Sequence, residues 1–126
     1  MSFKRLLQSV KYAFRGLSFT FKTEQNFRIQ CLLGSLVLIL SFVLGLQTWE
    51  KVTVLMFVIL VLLMEILNTA LEYFTDLLKP RLHHYVYKIK DIMAGGVLLS
   101  VLGAVIVGLV IFIPYFVNLF KWCIML

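Results

Sequence analysis

The sequence predicts an all-α membrane protein: three transmembrane helices preceded by an amino-terminal amphipathic helix on the membrane surface. Three observations predict it. The 126 residues are 62% hydrophobic and only 14% charged, with a mean hydropathy of +1.01. A water-soluble domain this small lacks the interior to hide so much apolar surface. The apolar residues also gather into three runs, each near or above the ~20 residues a helix needs to cross a bilayer. Finally, the cations are unevenly placed. Lys4, Arg5, Lys11, Arg15, Lys22 and Arg28 precede the first run, and Lys79, Arg81, Lys88 and Lys90 separate the second from the third. The first connection carries one cation, Lys51, and the tail one, Lys121. This positive-inside pattern puts the amino terminus and the second connection in the cytoplasm.

The whole chain, 1–126, reads as one domain. Its formal charge of +6 follows the membrane boundary, so anionic lipid headgroups account for it and nucleic acid is not an expected partner. The amino terminus lacks the short apolar run and small-residue cleavage site of a signal peptide.

Residues 3–22 alternate at helical spacing, with Phe3, Leu6, Leu7, Val10, Phe14 and Leu17 opposite Lys4, Arg5, Lys11, Arg15 and Ser18. A basic amphipathic helix of this kind lies in the interface plane. Gly16 interrupts it without ending it. Glu24 and Arg28 follow at a spacing that suits an ion pair on one helix, just before a first span over 29–46. The second span runs over 52–78 and stops where Pro80 biases Lys79 away from helical geometry. A polar connection over 79–90 holds His83 and His84, which have no partner at metal-binding spacing. The third span covers 92–120. Within it Gly96, Ser100, Ala104 and Gly108 recur every fourth residue, a ladder that lets helices approach closely, and Pro114 comes late. Cys31 and Cys123 fall near opposite membrane faces, cannot pair within one chain, and read as packing residues.

The chemistry gathers on Glu65-Ile-Leu-Asn-Thr-Ala-Leu-Glu-Tyr-Phe-Thr-Asp76. At about 100° per residue, Glu65, Asn68, Glu72 and Asp76 share roughly an 80° arc of one helix face. Ionisable groups within a membrane span are costly, and are paired, turned inward or functional. Glu24, Lys90 and Asp91 lie at the same boundary. Carboxylates there suit Mg²⁺, which binds through one or two of them together with phosphates, and Lys90 offers a cation to a phosphate. Glu65, flanked by Met64, Ile66 and Leu67, sits deeper and suits a general base acting on a hydroxyl near the headgroups. Glu65 and Glu72 are about 10 Å apart along the axis, which fits two roles better than one shared ion. Spacing alone leaves an alternative open: a non-enzymatic helical membrane protein whose acids line an ion path or mediate self-association. Gly103 to Gly108 has P-loop glycine spacing, but Leu109-Val110 follows where Lys-Ser/Thr is required.

With Lys90-Asp91 entering the last helix and Glu24 to Arg28 preceding the first span, this motif resembles the small bacterial membrane lipid kinases, the prokaryotic diacylglycerol kinase and undecaprenol kinase family. The resemblance covers almost the whole chain. It implies a homotrimeric bundle in the bacterial inner membrane, with active sites at subunit contacts on the cytoplasmic side. It implies transfer of the γ-phosphoryl of MgATP to the hydroxyl of diacylglycerol or undecaprenol. On that resemblance Glu65 matches the catalytic base, Glu24 and Glu72 the metal ligands, and Arg5, Tyr12, His83, Lys90 and Asp91 nucleotide contacts. Asn68 and Asp76 match polar active-site positions. Arg81 departs from the family, which often has an acid there, and bears on the adenosine end of the nucleotide site. Asn68-Thr-Ala and Gln25-Asn-Phe-Arg28 resemble the polyprenol branch slightly more. The non-enzymatic alternative then includes a degenerate member of the family.

Overall fold

The computed structural model describes residues 2–126, and among them the chain is entirely helical. Four helices follow in order: α1 (Phe3–Thr23), α2 (Gln25–Val43), α3 (Thr48–Asp76) and α4 (His83–Met125). The last three are long and apolar enough to cross a membrane, so the chain is a multi-pass membrane protein. α3 is the central element, packed by α2 and by α4, while α1 leans mainly on α2. One end of the bundle gathers the start of α2, the end of α3 and the start of α4, and is called here the basic end.

α1 runs through Gly16 as expected and stops at Glu24, whose backbone is extended (φ −102°, ψ 112°). Glu24 is therefore a link between two helices rather than a member of either, and the expected Glu24–Arg28 ion pair does not form. The Arg28 guanidinium instead donates to the carbonyls of Phe21 at 3.0 Å and Lys22 at 2.9 Å. Those are orphan acceptors at the end of α1, which a cation near a helix carboxyl terminus satisfies well. An edge-to-face contact between Phe19 and Tyr73, with centroids 5.4 Å apart, brings the end of α1 to the turn of α3 that holds Glu72.

α2 ends at Gly45, whose φ of +66° is the left-handed conformation that glycine adopts without strain. α3 then opens on Gln47, whose N–H donates to the Glu50 carboxylate at 2.9 Å in a capping box. Tyr115 of α4 donates its hydroxyl to the same carboxylate. Beside this polar staple, Leu46, Val54, Ile111 and Phe112 form a buried cluster, so the end opposite the basic end is fastened by both packing and hydrogen bonds.

α2 and α3 approach closely at Gly34, where a Cβ would meet Val58 Cγ1 at 2.7 Å. The small-residue ladder of α4 serves two purposes. Gly96 faces Met64 on α3 and Ser100 is buried, whereas Ala104 and Gly108 line an open groove. α4 starts earlier than the expected span and ends later, so His83 and His84 lie on a helix, not in a loop. Pro114 lies inside that helix. Cys31 is half-buried, but Cys123 is exposed and is not a packing residue of the chain's interior.

Candidate active site

The site is built on α3, because its apolar first half holds it in the bundle while its polar stripe runs towards the basic end. Glu65 comes first. It is only 3% exposed, and its carboxylate accepts one hydrogen bond, from Gln30 Nε2 of α2 at 3.2 Å. One turn on, Thr69 turns its hydroxyl to the Glu65 carbonyl at 2.9 Å and so stays out of the carboxylate's way. A buried carboxylate with a single neutral donor keeps acceptor capacity to spare.

Next come Asn68 and Glu72, both half-buried. The Asn68 amide donates to Glu72 Oε1 at 3.2 Å, which orients the carboxylate and leaves its second oxygen for another partner. At the helix end Asp76 is exposed and takes two cations: Lys90 of α4 at 2.9 Å and Lys79 at 3.4 Å. The stripe thus passes from buried to exposed along the helix, and it draws residues from α2 at one end and from α4 at the other.

A groove of about 460 Å³ runs along the apolar part of the bundle and has Gln30, the partner of Glu65, in its lining. It lies between α2 and α4 over α3, with Leu33, Val37, Phe57, Val101 and Phe112 among its walls. Gln30 is the one polar side chain that lines it, and Gln30 is the residue bonded to Glu65. The apolar groove therefore meets the buried carboxylate only through the Gln30 amide.

The structure brings some expected residues together and leaves others apart. Gln30 with Glu65, Asn68 with Glu72, and Asp76 with Lys90 form contacts. Tyr12 is engaged within α1, its hydroxyl accepting from Gln8 at 2.9 Å and its ring lying under Arg15; Arg5 lies one helical stretch earlier on the same exposed helix. His83 stacks edge-on against Tyr87, and Asp91 is exposed on α4. Among the described residues no three His, Cys, Asp or Glu side chains converge as a metal cage. Mg²⁺ does not ask for one, since it keeps waters and takes one or two carboxylates beside substrate phosphates. Glu72, with an oriented carboxylate and a free oxygen, fits that demand, and Glu24 supplies the same donor type. Gln30 was missed by the sequence reading. A lone amide one turn into an apolar span is the signal that could have found it.

Comparison with known proteins places the chain as a whole. The family model described as prokaryotic diacylglycerol kinase matches residues 11–112. A diacylglycerol kinase of Synechocystis sp. is 39% identical over 115 residues, which are 90% of this chain and 66% of that protein, just under two thirds of its length. An undecaprenol kinase of Bacillus subtilis is 33% identical over 110 residues, covering 87% of this chain and 89% of its own. A diacylglycerol kinase of Escherichia coli is 27% identical over 124 residues, 98% of this chain and 90% of its own. With most of its length matched, from the surface helix through all three spans, the chain belongs to the prokaryotic diacylglycerol kinase family, a family of lipid kinases.

Proposed function

We propose that this lipid kinase transfers the γ-phosphoryl group of MgATP to the primary hydroxyl of a membrane lipid, at the basic end of the bundle. One observation carries the reading: an apolar groove includes Gln30, the amide bonded to the buried Glu65 carboxylate, and the Glu65 face of α3 continues to an oriented carboxylate and to Asp76, which holds Lys90 of α4. That order supplies a place for an apolar body, a base for its hydroxyl, and charge for phosphates. The positive-inside distribution supports a cytoplasmic basic end, where ATP is available, and the family resemblance supports the bacterial inner membrane.

Phosphoryl transfer demands positioning and charge neutralisation more than covalent work by the protein. In the proposed reaction Glu65 takes the hydroxyl proton, the hydroxyl oxygen bonds to the γ-phosphorus, and the bond to the β-γ bridging oxygen breaks to release ADP. Glu24 and Glu72 would hold Mg²⁺, which neutralises phosphate charge when bound. Lys90, kept in place by Asp76, reaches the phosphates; Arg5, Tyr12, His83 and Asp91 contribute to nucleotide binding. Arg5 and Tyr12 do not reach α3 within one chain, and this favours a site completed between subunits of a homotrimer, as the family resemblance implies.

Relatives of both names match the chain, and diacylglycerol and undecaprenol both present a primary hydroxyl on a long apolar body. The test is lipid phosphorylation by the purified protein with labelled ATP and Mg²⁺, both lipids being offered side by side. Label in one lipid supports the reading and identifies the acceptor. Label in neither, from a well-folded protein, returns the acidic stripe to an ion-path or scaffold role.

A further inference from the structure

The Gln30 side chain holds an unmatched atom. Its Nε2 donates to Glu65, while its Oε1 is buried and accepts from nothing. The carboxylate, which only accepts, requires the amide nitrogen on its side, so the carbonyl is left facing away. A buried acceptor without a donor is destabilising and uncommon in folded proteins. Gln30 is also the polar end of the apolar groove. The last torsion of a glutamine is soft, so a modest rotation presents the carbonyl to the groove that the side chain already lines while the amide N–H stays on Glu65.

Resting on the lipid-kinase reading above, we propose that Gln30 is the docking residue for the acceptor hydroxyl. Its carbonyl accepts the O–H of the primary alcohol in the ground-state complex and holds the oxygen beside Glu65. The chemistry recognised is a primary hydroxyl at the end of an apolar chain. No other side chain on the groove wall can make that distinction, because the rest of the lining is hydrocarbon or glycine. The Nε2–Glu65 bond places docking and proton removal at one point: the group that holds the alcohol also sets the position of the base. As transfer begins, the alcohol swings its O–H from Gln30 Oε1 to the neighbouring Glu65 carboxylate, which takes the proton from the alcohol oxygen as that oxygen bonds to the γ-phosphorus.

The test compares each acceptor lipid with its analogue in which the hydroxyl is replaced by hydrogen, bound to the full-length protein in mixed micelles. Wild-type protein should prefer the alcohol by roughly fivefold to tenfold, the effect of one neutral hydrogen bond. Gln30→Met should bring that ratio close to one and raise the lipid KM, with the KM for ATP unchanged. Gln30→Asn, which withdraws the carbonyl by one methylene and keeps its polarity, should also lose the preference and serves the comparison if the Met variant folds poorly. If Gln30 only props Glu65, both variants lose kcat while the preference for the alcohol persists. That result overturns the inference alone. Wild-type protein that phosphorylates neither lipid overturns the kinase reading and this inference with it.

Discussion

At the scale of single residues, depth in the bundle separates three carboxylates of one helix face into different tasks. Glu65 is buried beside an amide and is the only one of the three bonded to a residue that lines the apolar groove. Glu65→Gln keeps the shape and the neighbours, so the proposed trimer should persist while kcat falls about 10²- to 10⁴-fold, the usual contribution of a positioned base. Single-turnover assays beside size-exclusion chromatography check both halves, and a fully active variant sinks the assignment. Asp76 works differently. Its carboxylate is exposed and draws Lys90 across from α4 at 2.9 Å. In Asp76→Asn the lysine loses its tether, and the KM for ATP should rise several-fold while the lipid KM stays put. Steady-state kinetics in both substrates make that distinction. The depth of Glu65 needed no long-range information beyond helix periodicity and an apolar flank. The tether of Lys90 and the bond from Gln30 did: their partners are 14 and 35 residues away on other helices, and no period within one helix encodes a contact between two.

At the scale of elements, the spans and the surface helix were legible because hydropathy and 3.6-residue periodicity are summed over many residues. The joints were not, because each turns on one or two atoms. Glu24 and Arg28 have the spacing of an ion pair, but capping the orphan carbonyls of α1 offers the guanidinium two acceptors instead of one exposed carboxylate. Arg28→Ala should therefore loosen the end of α1 before it affects the bundle. Faster amide exchange confined to residues 20–24, with unchanged melting of the spans, is the expected outcome. The start of α4 was also placed late, since the charged and histidine-bearing turns before Ile92 read as connection by composition while their backbone continues the helix. Close packing makes the opposite kind of prediction. A Cβ at Gly34 would press on the β-branched Val58, a side chain with little rotamer freedom. Gly34→Ala should cost about 1–3 kcal/mol, read as a lower midpoint in detergent unfolding.

At the scale of the whole molecule, one chain gathers around α3 an apolar groove, the proposed base Glu65 and Lys90 of α4 tethered to Asp76, while the nucleotide-contacting candidates of α1 stand away from it. A site completed between subunits predicts complementation. Glu24→Gln and Glu65→Gln subunits, each inactive alone, should regain part of the wild-type rate when co-assembled, and a mixture that stays inactive argues for sites closed within each chain. The bundle is also uneven in length. α2 has 19 residues and spans about 28 Å, close to a hydrocarbon core of about 30 Å. α4 has 43, and its apolar stretch over 92–120 alone covers about 43 Å. Two helices of one subunit thus make unequal demands on the same bilayer, and the longer one is accommodated only by tilt or by local thickening. Because Gly108 and Ala104 of that longer helix wall the groove, a change in its tilt with bilayer thickness would change the width of the channel proposed for the lipid.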